Sequence, residues 1–384
     1  MASCFLPEDL VIEILTRLPV KSLMRFKCIC KTWNAFTRNL SFIDMHLNRN
    51  TSNDLNHHHL IKHFDMKVNR FNLFPNESLG VRPQNVILSL QLHGAAFKVL
   101  GPCNGILCLH GSSVSKKKYF HIILWNPATR EYRVLPTSNF GFPPYKLARE
   151  CYIGYGFDHK TKDYKVVQLL GFRRRNERKK DEVRAKVYSF NADSWRPTHV
   201  KLPYFTTRYP GCTLYVNGEI HWSGFCEGDP IIISFDIGSE ECRVTPMPVY
   251  SEREDNPLSK YYKREEHTLS MLDGSLAVIF YFFGMVGKLF EVWTMEKIGA
   301  GQQPWTRKFV IDLCPYPYRP LGFWNDNQLL LYKLRRPGGD LILYDTCTKR
   351  LKDLQLHVFP FGFQVLPYKE SLVSVKKDSY QVEN

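Results

Sequence analysis

The sequence predicts two structural parts, a small all-α helical bundle at the N-terminus and a much longer all-β domain after it. Three observations lead to this fold class. Apolar residues recur at helical spacing as far as about residue 49, short apolar runs separated by turns replace them after residue 59, and those runs repeat. A chain of 384 residues is long enough to hold a large repeat domain together with a small one.

The N-terminal residues have the pattern of short helices. Five apolar residues lie on one face of the first predicted helix: Leu10, Val11, Ile14, Leu15 and Leu18. Pro7 suits a first helical turn, and Pro19 ends the helix. A second helix is predicted from about Lys21, and the segment 31–49 continues the helical pattern. We therefore assign residues 1–49 to a helical domain.

A polar stretch separates the two parts. Residues 50–59 are predicted to form a linker, and residues 60–384 the β domain. The linker ends in three consecutive histidines, His57 to His59. Successive side chains of an extended chain point in opposite directions, so these histidines do not form a tripod for a metal ion. No metal site and no cofactor are predicted.

The β domain consists of repeats. A turn followed by an apolar strand recurs five times, beginning at Asn104, Asp163, Asn217, Asp273 and Asp326. The interval of about 55 residues, with several strands in each unit, is typical of a kelch-like β-propeller. A sixth unit is divided between residues 59–90 and the segment 363–375, which would pair the two ends of the domain. We predict a six-bladed propeller, with a two-sheet sandwich as the alternative.

Several side chains within the repeats are predicted to be structural. An aromatic residue follows the turn at a similar distance in each unit and is expected to pack between neighbouring blades: Trp125, Phe190, Phe235, Trp293 and Tyr344. His221 is predicted to be a packed or hydrogen-bonded strand residue. Glu240 and Glu241 lie in a predicted turn and are expected to face solvent.

The chain carries a formal net charge of +15, only part of which is concentrated. The densest basic segment is a predicted loop, and its residues are candidates for contact with an acidic target: Arg173, Arg174, Arg175, Arg178, Lys179 and Lys180. A solvated loop and a nuclear localisation signal are the alternatives. Nucleic-acid binding is less favoured, because Glu177, Asp181 and Glu182 dilute the charge and no aromatic residues are interleaved for stacking.

The cysteines and the apolar runs suggest a cellular location. There are eleven cysteines, an odd number without a CxxC pair, which favours reduced thiols in an intracellular protein. Glu8 and Asp9 stand where a secretory signal would carry basic residues, and the apolar run from Leu276 is too short to span a bilayer. We expect a cytoplasmic or nuclear protein, or both, without a membrane partner.

The helical domain is more apolar than its size explains. About 40 residues cannot bury enough surface to be stable alone, so the bundle must pack on the β domain or on another protein. A partner that covers four or five exposed Leu or Ile side chains would gain roughly 1.5–3 kcal/mol for each. The sequence therefore predicts a protein-docking surface here.

The segment "LPEDLVIEILTRLPVKSLMRFKCICKTWNAF" resembles an F-box. The resemblance implies binding to a Skp-type adaptor, which joins F-box proteins to a cullin scaffold and a ubiquitin-conjugating enzyme. It also implies a set of residues that form or support the adaptor surface: Leu6, Pro7, Leu10, Ile14, Leu15, Leu18, Pro19, Leu23, Ile29, Cys30 and Trp33. The sequence does not separate the residues that touch the adaptor from those that hold the helices together.

The β domain resembles the plant F-box-associated domain of type 1. The matching blocks include "GPCNGILCL", "LWNPATREYRVLP", "YGFDHKTKDYKVVQLL" and "VNGEIHWSG", in the order of the family. The C-terminal run "LHVFPFGFQVLPYKESLVSV" is similar to the S-locus F-box-like branch, which includes pollen factors that target pistil ribonucleases. Related branches control immune receptors, and the sequence does not choose between them.

Catalysis by this chain is not predicted. The sequence contains no GxxxxGK[ST], HExxH or GxSxG motif, and its histidines are too scattered for the copper site of kelch-like oxidases. We predict a non-catalytic substrate-recognition subunit of a Skp–cullin–F-box ubiquitin ligase whose β domain recruits a target for degradation. A non-degradative F-box protein and, less favoured, a basic nucleic-acid-binding protein are the alternatives.

Overall fold

The computed structural model describes most of the chain, in fifteen segments: residues 7–49, 57–64, 69–75, 84–86, 97–112, 120–138, 146–174, 182–206, 213–248, 265–282, 289–296, 304–313, 318–335, 338–358 and 363–376. Within these segments, helices come first and all later elements are strands. The chain divides into two compact units, one formed by Met1–Thr137 with Gly362–Asn384 and the other by Ser138–Phe361.

The first unit begins with four short helices. They are α1 (Glu8–Leu15), α2 (Val20–Phe26), α3 (Lys31–Phe36) and α4 (Leu40–Arg49). Pro7 and Pro19 are the N-cap residues of α1 and α2. The predicted helical pattern over 31–49 is divided, because the Asn39 side chain caps a new helix by accepting a hydrogen bond from the backbone N–H of Phe42 at 3.1 Å.

The helices pack around a small apolar core. The buried side chains are Leu15, Val20, Leu23, Phe42 and Ile43. Polar contacts join α4 to α1 and to the α1–α2 connection. His46 Nε2 lies 2.9 Å from the carbonyl oxygen of Leu18, and Arg49 donates to Thr16 Oγ1 and to Glu13 Oε1, both at 2.6 Å.

Two four-stranded antiparallel sheets complete the first unit. One has the strand order β24-β1-β2-β3 and the other β4-β5-β6-β7. Their strands are β1 (His57–Phe64), β2 (Asn69–Pro75), β3 (Gln84–Val86), β4 (Phe97–Cys103), β5 (Ile106–Ser112), β6 (Phe120–Asn126), β7 (Glu131–Val134) and β24 (Gln364–Lys369). The pairing of β24 with β1 places both ends of the β domain in one sheet, as the divided sixth repeat predicted.

The predicted linker extends too far. It was expected to end at His59, whereas β1 begins at His57 and pairs that residue with Lys369 of β24. His59 is buried beside Leu60, so the last histidine packs inside the sheet. The histidine run therefore begins the first strand.

The chain continues past β24 as a buried segment without strand pairing, residues 371–375. Asn126 fastens it, since its side-chain amide donates to the carbonyl oxygens of Ser371 at 3.0 Å and Val373 at 2.7 Å. The Ser371 hydroxyl donates to the carbonyl oxygen of Asn104, and the Ser374 hydroxyl to Glu131, each at 2.6 Å. The C-terminal segment is thus bound to the β4–β7 sheet.

The second unit contains four more four-stranded antiparallel sheets, each built from consecutive strands. The first two comprise β8 (Lys146–Asp158), β9 (Asp163–Arg174), β10 (Glu182–Ser189), β11 (Ser194–Thr198), β12 (Thr213–Val216), β13 (Glu219–Cys226), β14 (Asp229–Asp236) and β15 (Cys242–Pro246). The last two comprise β16 (Glu265–Leu272), β17 (Ser275–Phe282), β18 (Leu289–Met295), β19 (Trp305–Asp312), β20 (Tyr318–Asn325), β21 (Gln328–Leu334), β22 (Gly339–Asp345) and β23 (Leu351–Val358).

The repeated turns and aromatics lie where the repeat predicted them. Asn217-Gly218 and Asp273-Gly274 both have positive φ at their two residues, as a tight hairpin turn requires. Four of the five recurrent aromatics are buried: Trp125, Phe190, Phe235 and Tyr344. The fifth, Trp293, is half-buried, with its indole N–H 3.0 Å from Glu291 and the Arg307 guanidinium 5.7 Å above its ring.

One polar expectation holds and another is wrong. His221 is buried and hydrogen-bonded, with Nδ1 2.9 Å from Ser234 Oγ. Glu240 does not face solvent, although Glu241 does. Its carboxylate binds the ammonium of Lys165 at 3.1 Å and the guanidinium of Arg196, so the charge is satisfied inside the unit.

Candidate functional site

The helical domain exposes apolar side chains outside its buried core. Leu10 and Ile14 of α1 are 49% and 48% exposed, and Ile29 after α2 is 65% exposed. Isolated exposed apolar residues are common on protein surfaces. Three large ones within some twenty residues of a small domain instead indicate a surface that another protein can cover.

The geometry of α1 creates the first part of this surface. Leu10 and Ile14 are four residues apart, so they lie one above the other on the same face of the helix. Leu15 points to the opposite side and is buried. Glu13 borders the exposed pair and forms an ion pair with Arg17 at 2.7 Å. Hydrogen bonds from Arg17 and Arg49 hold the pKa of Glu13 below its usual value, so this border stays charged at neutral pH.

The connection between α2 and α3 forms the second part. Ile29 stands between Cys28 and Cys30, both of which are exposed. Cys30 is the N-cap of α3, and its Sγ accepts a hydrogen bond from the backbone N–H of Trp33 at 3.5 Å. Trp33 of α3 packs against Phe26 of α2 with ring centroids 5.3 Å apart, so an aromatic contact joins the two helices on either side of the connection.

Burial divides the predicted adaptor-surface residues into three groups. The exposed ones are Pro7, Leu10, Ile14, Pro19, Ile29 and Cys30. Leu18 and Trp33 are half-buried, while Leu15 and Leu23 lie in the core. Leu6 falls outside the described residues. The exposed side chains can touch a partner directly, and the buried pair can act only by holding the helices in place. Contact with an adaptor stays a prediction for all of them.

Two exposed apolar residues of α4 were not among the predicted set. Leu40 and Met45 are 48% and 45% exposed. The same helix buries Phe42, Ile43 and His46, which define its inner face. Met45 lies three residues after Phe42, at the edge of that face, so helical spacing alone does not indicate its exposure.

The predicted target-binding residues are only partly described. Arg173 and Arg174 occupy the end of β9, where their backbones pair with Leu147 and Lys146 of β8. The other four lie outside the described residues: Arg175, Arg178, Lys179 and Lys180. The two ends of the basic segment therefore belong to one sheet, since β9 and β10 are neighbours in it.

Burial shifts the pKa of two side chains of the β domain, His221 and Cys108. Burial lowers the pKa of His221 to about 4, so this histidine is neutral at pH 7. Burial also raises the pKa of the Cys108 thiol far above its usual value, which makes it unreactive. The described segments contain no group of three or more His, Cys, Asp or Glu side chains placed to hold a metal ion. They also contain no helix long and apolar enough to cross a membrane.

Two protein-family models match the chain, one over the N-terminal helices and the other over the β domain. The F-box domain matches residues 4–44, and the F-box associated beta propeller domain matches residues 59–375. The chain belongs to the F-box proteins that carry this propeller domain. The six sheets are therefore the blades of a six-bladed β-propeller, and the sandwich alternative is wrong.

Plant F-box proteins are similar to this chain over most of their length. The F-box protein At3g07870 of Arabidopsis thaliana is 26% identical, covering 96% of this chain and 91% of that protein. The F-box/kelch-repeat protein At3g23880 of the same plant is 27% identical, covering 90% and 89%. The F-box protein CPR1, also from Arabidopsis thaliana, is 22% identical, covering 96% and 88%.

Solved structures resemble the chain only distantly. TolB from Acinetobacter baumannii matches with a TM-score of 0.43 and 12% identity, covering 85% of this chain and 70% of that one. This likeness is too slight to bear on function. The family itself says more, because F-box proteins are typically non-catalytic adaptor subunits and the F-box implies binding to a Skp-type adaptor.

Proposed function

We propose that this F-box protein is the substrate-recognition subunit of a Skp–cullin–F-box ubiquitin ligase. Its F-box docks on a Skp-type adaptor, and its propeller recruits a target protein for ubiquitylation and degradation. The chain performs no chemistry itself. It raises the effective concentration of a target lysine near the thioester-bound ubiquitin of the conjugating enzyme.

The observation that carries the proposal is the exposed apolar surface of α1 and the α2–α3 connection. Leu10, Ile14 and Ile29 remain outside the buried core of the helical domain. Covering the exposed part of each would contribute roughly half of the 1.5–3 kcal/mol that full burial gives, and together the three contacts offset part of the cost of association. Because each 1.4 kcal/mol is a tenfold change in affinity, their loss is expected to weaken docking by more than tenfold.

The propeller would supply the target surface. The basic segment that begins at Arg173 and Arg174 favours a target with an acidic patch, because opposite charges speed and orient association. Charge reversal of these two residues is then expected to weaken target binding and to reduce its dependence on salt. Unchanged target affinity would remove this part of the proposal.

A binding experiment on the full chain tests the adaptor interface. Purified Skp-type adaptor would be titrated against the wild type and against Leu10→Glu, Ile14→Glu. We expect micromolar or tighter binding by the wild type and at least a hundredfold loss in the double variant. Ser41→Glu is the control, since it adds one glutamate, half the charge of the double variant, at an exposed polar position of the same domain.

The outcomes of this titration separate two interpretations. Retained binding by the double variant would show that the α1 surface is not used. Absence of binding by well-folded wild type would remove the ligase proposal itself. Accumulation of a bound target when the proteasome is inhibited would distinguish a degradative receptor from a non-degradative F-box protein.

We also propose a cytoplasmic or nuclear location. Cys28, Cys30 and Cys347 are exposed free thiols, which suit a reducing compartment. Imaging of a fluorescent fusion would check this, and secretion of the fusion would contradict it.

A further inference from the structure

The last turn of α1 depends on side chains for some of its hydrogen bonds. The backbone N–H of Arg17 bonds the carbonyl oxygen of Ile14 at 3.1 Å, one residue beyond its usual helical partner, the carbonyl oxygen of Glu13. The Glu13 carbonyl oxygen accepts hydrogen bonds from Thr16 Oγ1 at 2.9 Å and from the Arg49 guanidinium at 3.3 Å. Carbonyls at a helix end need such partners, because the helix itself supplies none. A residue of α4 thus completes the end of α1.

Arg49 makes three hydrogen bonds to that end of α1. Besides the Glu13 carbonyl oxygen, its guanidinium binds Thr16 Oγ1 and Glu13 Oε1, both at 2.6 Å. Thr16 is only 2% exposed, so one of these acceptors lies inside the domain. The planar guanidinium presents its donors in a fixed fork and can serve several acceptors in one geometry. Arg49 therefore holds the end of α1 at more than one point.

His46 holds the chain just after α1. It lies three residues before Arg49 in α4, so the two side chains share one side of the helix. His46 Nε2 is 2.9 Å from the carbonyl oxygen of Leu18, and its ring stacks on Phe42 with centroids 6.4 Å apart. Burial lowers the pKa of His46, so the neutral ring donates this hydrogen bond at pH 7. The last turns of α4 thus contact both the end of α1 and its connection to α2.

These contacts bear on the exposed apolar surface of the helical domain. Ile14 is in the last turn of α1, and Leu18 directly precedes Pro19, the N-cap of α2. The other part of the surface, Ile29, follows α2. The direction in which the chain leaves α1 therefore decides how far Ile14 stands from Ile29. A partner gains most from side chains that are already in place, since ordering them on binding costs free energy.

We propose that Arg49 and His46 are positioning residues for adaptor docking, because they hold α1 at the angle that aligns its apolar side chains with Ile29. The F-box match ends at residue 44, so the docking unit of this chain extends past it to Arg49. The role in docking rests on the proposed function. The attachment of α4 to the end of α1 does not.

The simpler alternative is a surface ion pair. The side chains of Arg49 and Glu13 are 36% and 47% exposed, and exposed ion pairs of this kind contribute little. That alternative predicts that removing the charge of Glu13 has the same effect as removing Arg49. The positioning role predicts a much larger effect of Arg49, because Thr16 Oγ1 and the Glu13 carbonyl oxygen lose their donor as well.

Hydrogen exchange on the full chain without adaptor tests the attachment. Arg49→Met removes the donors and keeps an unbranched side chain. We expect at least fivefold faster exchange of the backbone amides of residues 16–18, with β5 and β6 unchanged. Glu13→Gln keeps an acceptor at Oε1 and should change this exchange less than twofold. Arg38→Met, which removes an exposed arginine of the same domain, is the matched control and should behave as the wild type.

Two further variants separate the attachment from misfolding. His46→Phe keeps an aromatic ring on Phe42 and removes the donor for Leu18, so it should also speed exchange at residue 18. If Arg49→Met fails to fold, Thr16→Val decides by the same measurement, because it removes the buried acceptor of Arg49 at nearly the same shape. Wild-type exchange at residues 16–18 in Arg49→Met, or equal acceleration by Glu13→Gln, would overturn the attachment.

Titration of the full chain with a purified Skp-type adaptor tests the positioning role. We expect Arg49→Met to weaken binding at least fivefold, mainly through slower association, because only the fraction of chains with α1 in place can bind. Arg49→Lys keeps one donor and should recover part of the affinity, and Arg38→Met should bind as the wild type. In an Ile14→Ala background the fold-loss caused by Arg49→Met should shrink at least twofold, since the contact that Arg49 positions is already reduced.

The binding kinetics distinguish the possible roles of Arg49. Faster dissociation with unchanged association would mean that Arg49 touches the adaptor itself. Losses that multiply independently in the Arg49→Met, Ile14→Ala double variant would mean a general loss of stability. Either result would overturn the positioning role. If the wild type binds no adaptor, the proposed function fails, whereas the exchange experiment still decides the attachment.

Discussion

The Lys165 ammonium lies 2.9 Å from the Asp158 carboxylate inside the second unit, and both side chains are almost completely buried. Lys165 also donates to the carbonyl oxygen of Ile237 and to Glu240, so it joins the β8–β9 hairpin to the turn after β14. A charge pair of this kind is stable only while both partners are ionised, because either one alone would be a buried unpaired charge.

This pair makes the propeller sensitive to acid. Burial alone would raise the pKa of Asp158, but hydrogen bonds from Lys165 and Thr161 outweigh it and hold that pKa well below 3.8. For Glu240 too, hydrogen bonds from Arg196 and Lys165 outweigh the effect of burial and lower the pKa below 4.5. A carboxyl group whose pKa is lowered by folding contributes stability at pH values above its pKa in the unfolded chain. This stability is lost as the pH falls toward and through the pKa of the folded state, so we expect destabilisation below about pH 4.

Asp158→Asn tests the contribution of the pair. At pH 7 we expect a loss of about 3–5 kcal/mol, because Lys165 would keep a buried charge with one partner fewer. The difference from the wild type should narrow below about pH 4, where Asp158 binds a proton in the unfolded wild-type chain but not in the folded pair. Chemical denaturation at several pH values measures both effects. Asp229→Asn, at an exposed position, should change little, and an Asp158→Asn penalty that does not depend on pH would contradict the assignment.

Truncation of Leu15 should destabilise the helical domain much more than truncation of Leu10. Leu15→Ala removes a core side chain and is expected to cost about 2–5 kcal/mol in the stability of the helical domain. Leu10→Ala removes a surface side chain and should change that stability by about 0.5 kcal/mol or less. Hydrogen exchange of α1 and α2 provides the measurement. Comparable destabilisation by both variants would mean that Leu10 is covered within the chain.

Two turn glycines form a natural comparison. Gly105 and Gly218 both have positive φ, so alanine is strained at each by roughly 1 kcal/mol. A Cβ at Gly218 meets nothing within 4 Å, whereas at Gly105 it would lie 2.6 Å from Ser371 Oγ and 2.8 Å from the Lys369 carbonyl oxygen. Gly105→Ala should therefore lower the denaturation midpoint clearly more than Gly218→Ala. Equal shifts of the midpoint would show that the C-terminal segment moves away from the added methyl group without a loss of stability.

Asn126 should control the attachment of the C-terminal segment. Asn126→Ala leaves the carbonyl oxygens of Ser371 and Val373 without their donor. Each loss is expected to lower the free energy of unfolding by about 1–3 kcal/mol. We expect faster hydrogen exchange across residues 371–375 and easier digestion from the C-terminus. Asn191→Ala, at an exposed turn position, is the control. Undiminished protection of the segment in Asn126→Ala would contradict its anchoring role.

The sequence by itself determined the large features. Helical spacing from Leu10 to Leu18 and the break at Pro19 give the first helices, because these signals are local to the chain. The turn that recurs at Asn217 and Asp273 gives the blades, because a hairpin turn needs positive φ wherever it occurs. The resemblance of the first forty residues to an F-box likewise rests on residues close together in the chain.

Only the tertiary structure decided which residues of these patterns are exposed. Leu10 and Leu15 carry the same apolar signal, and only the packing of the folded chain decides that Leu15 is buried and Leu10 is exposed. Glu240 looks like a solvated turn residue until Lys165 and Arg196 approach it from another sheet. The contact of Lys369 with Leu47 has no sequence signal, since it joins distant residues and depends on where both chain ends come to lie.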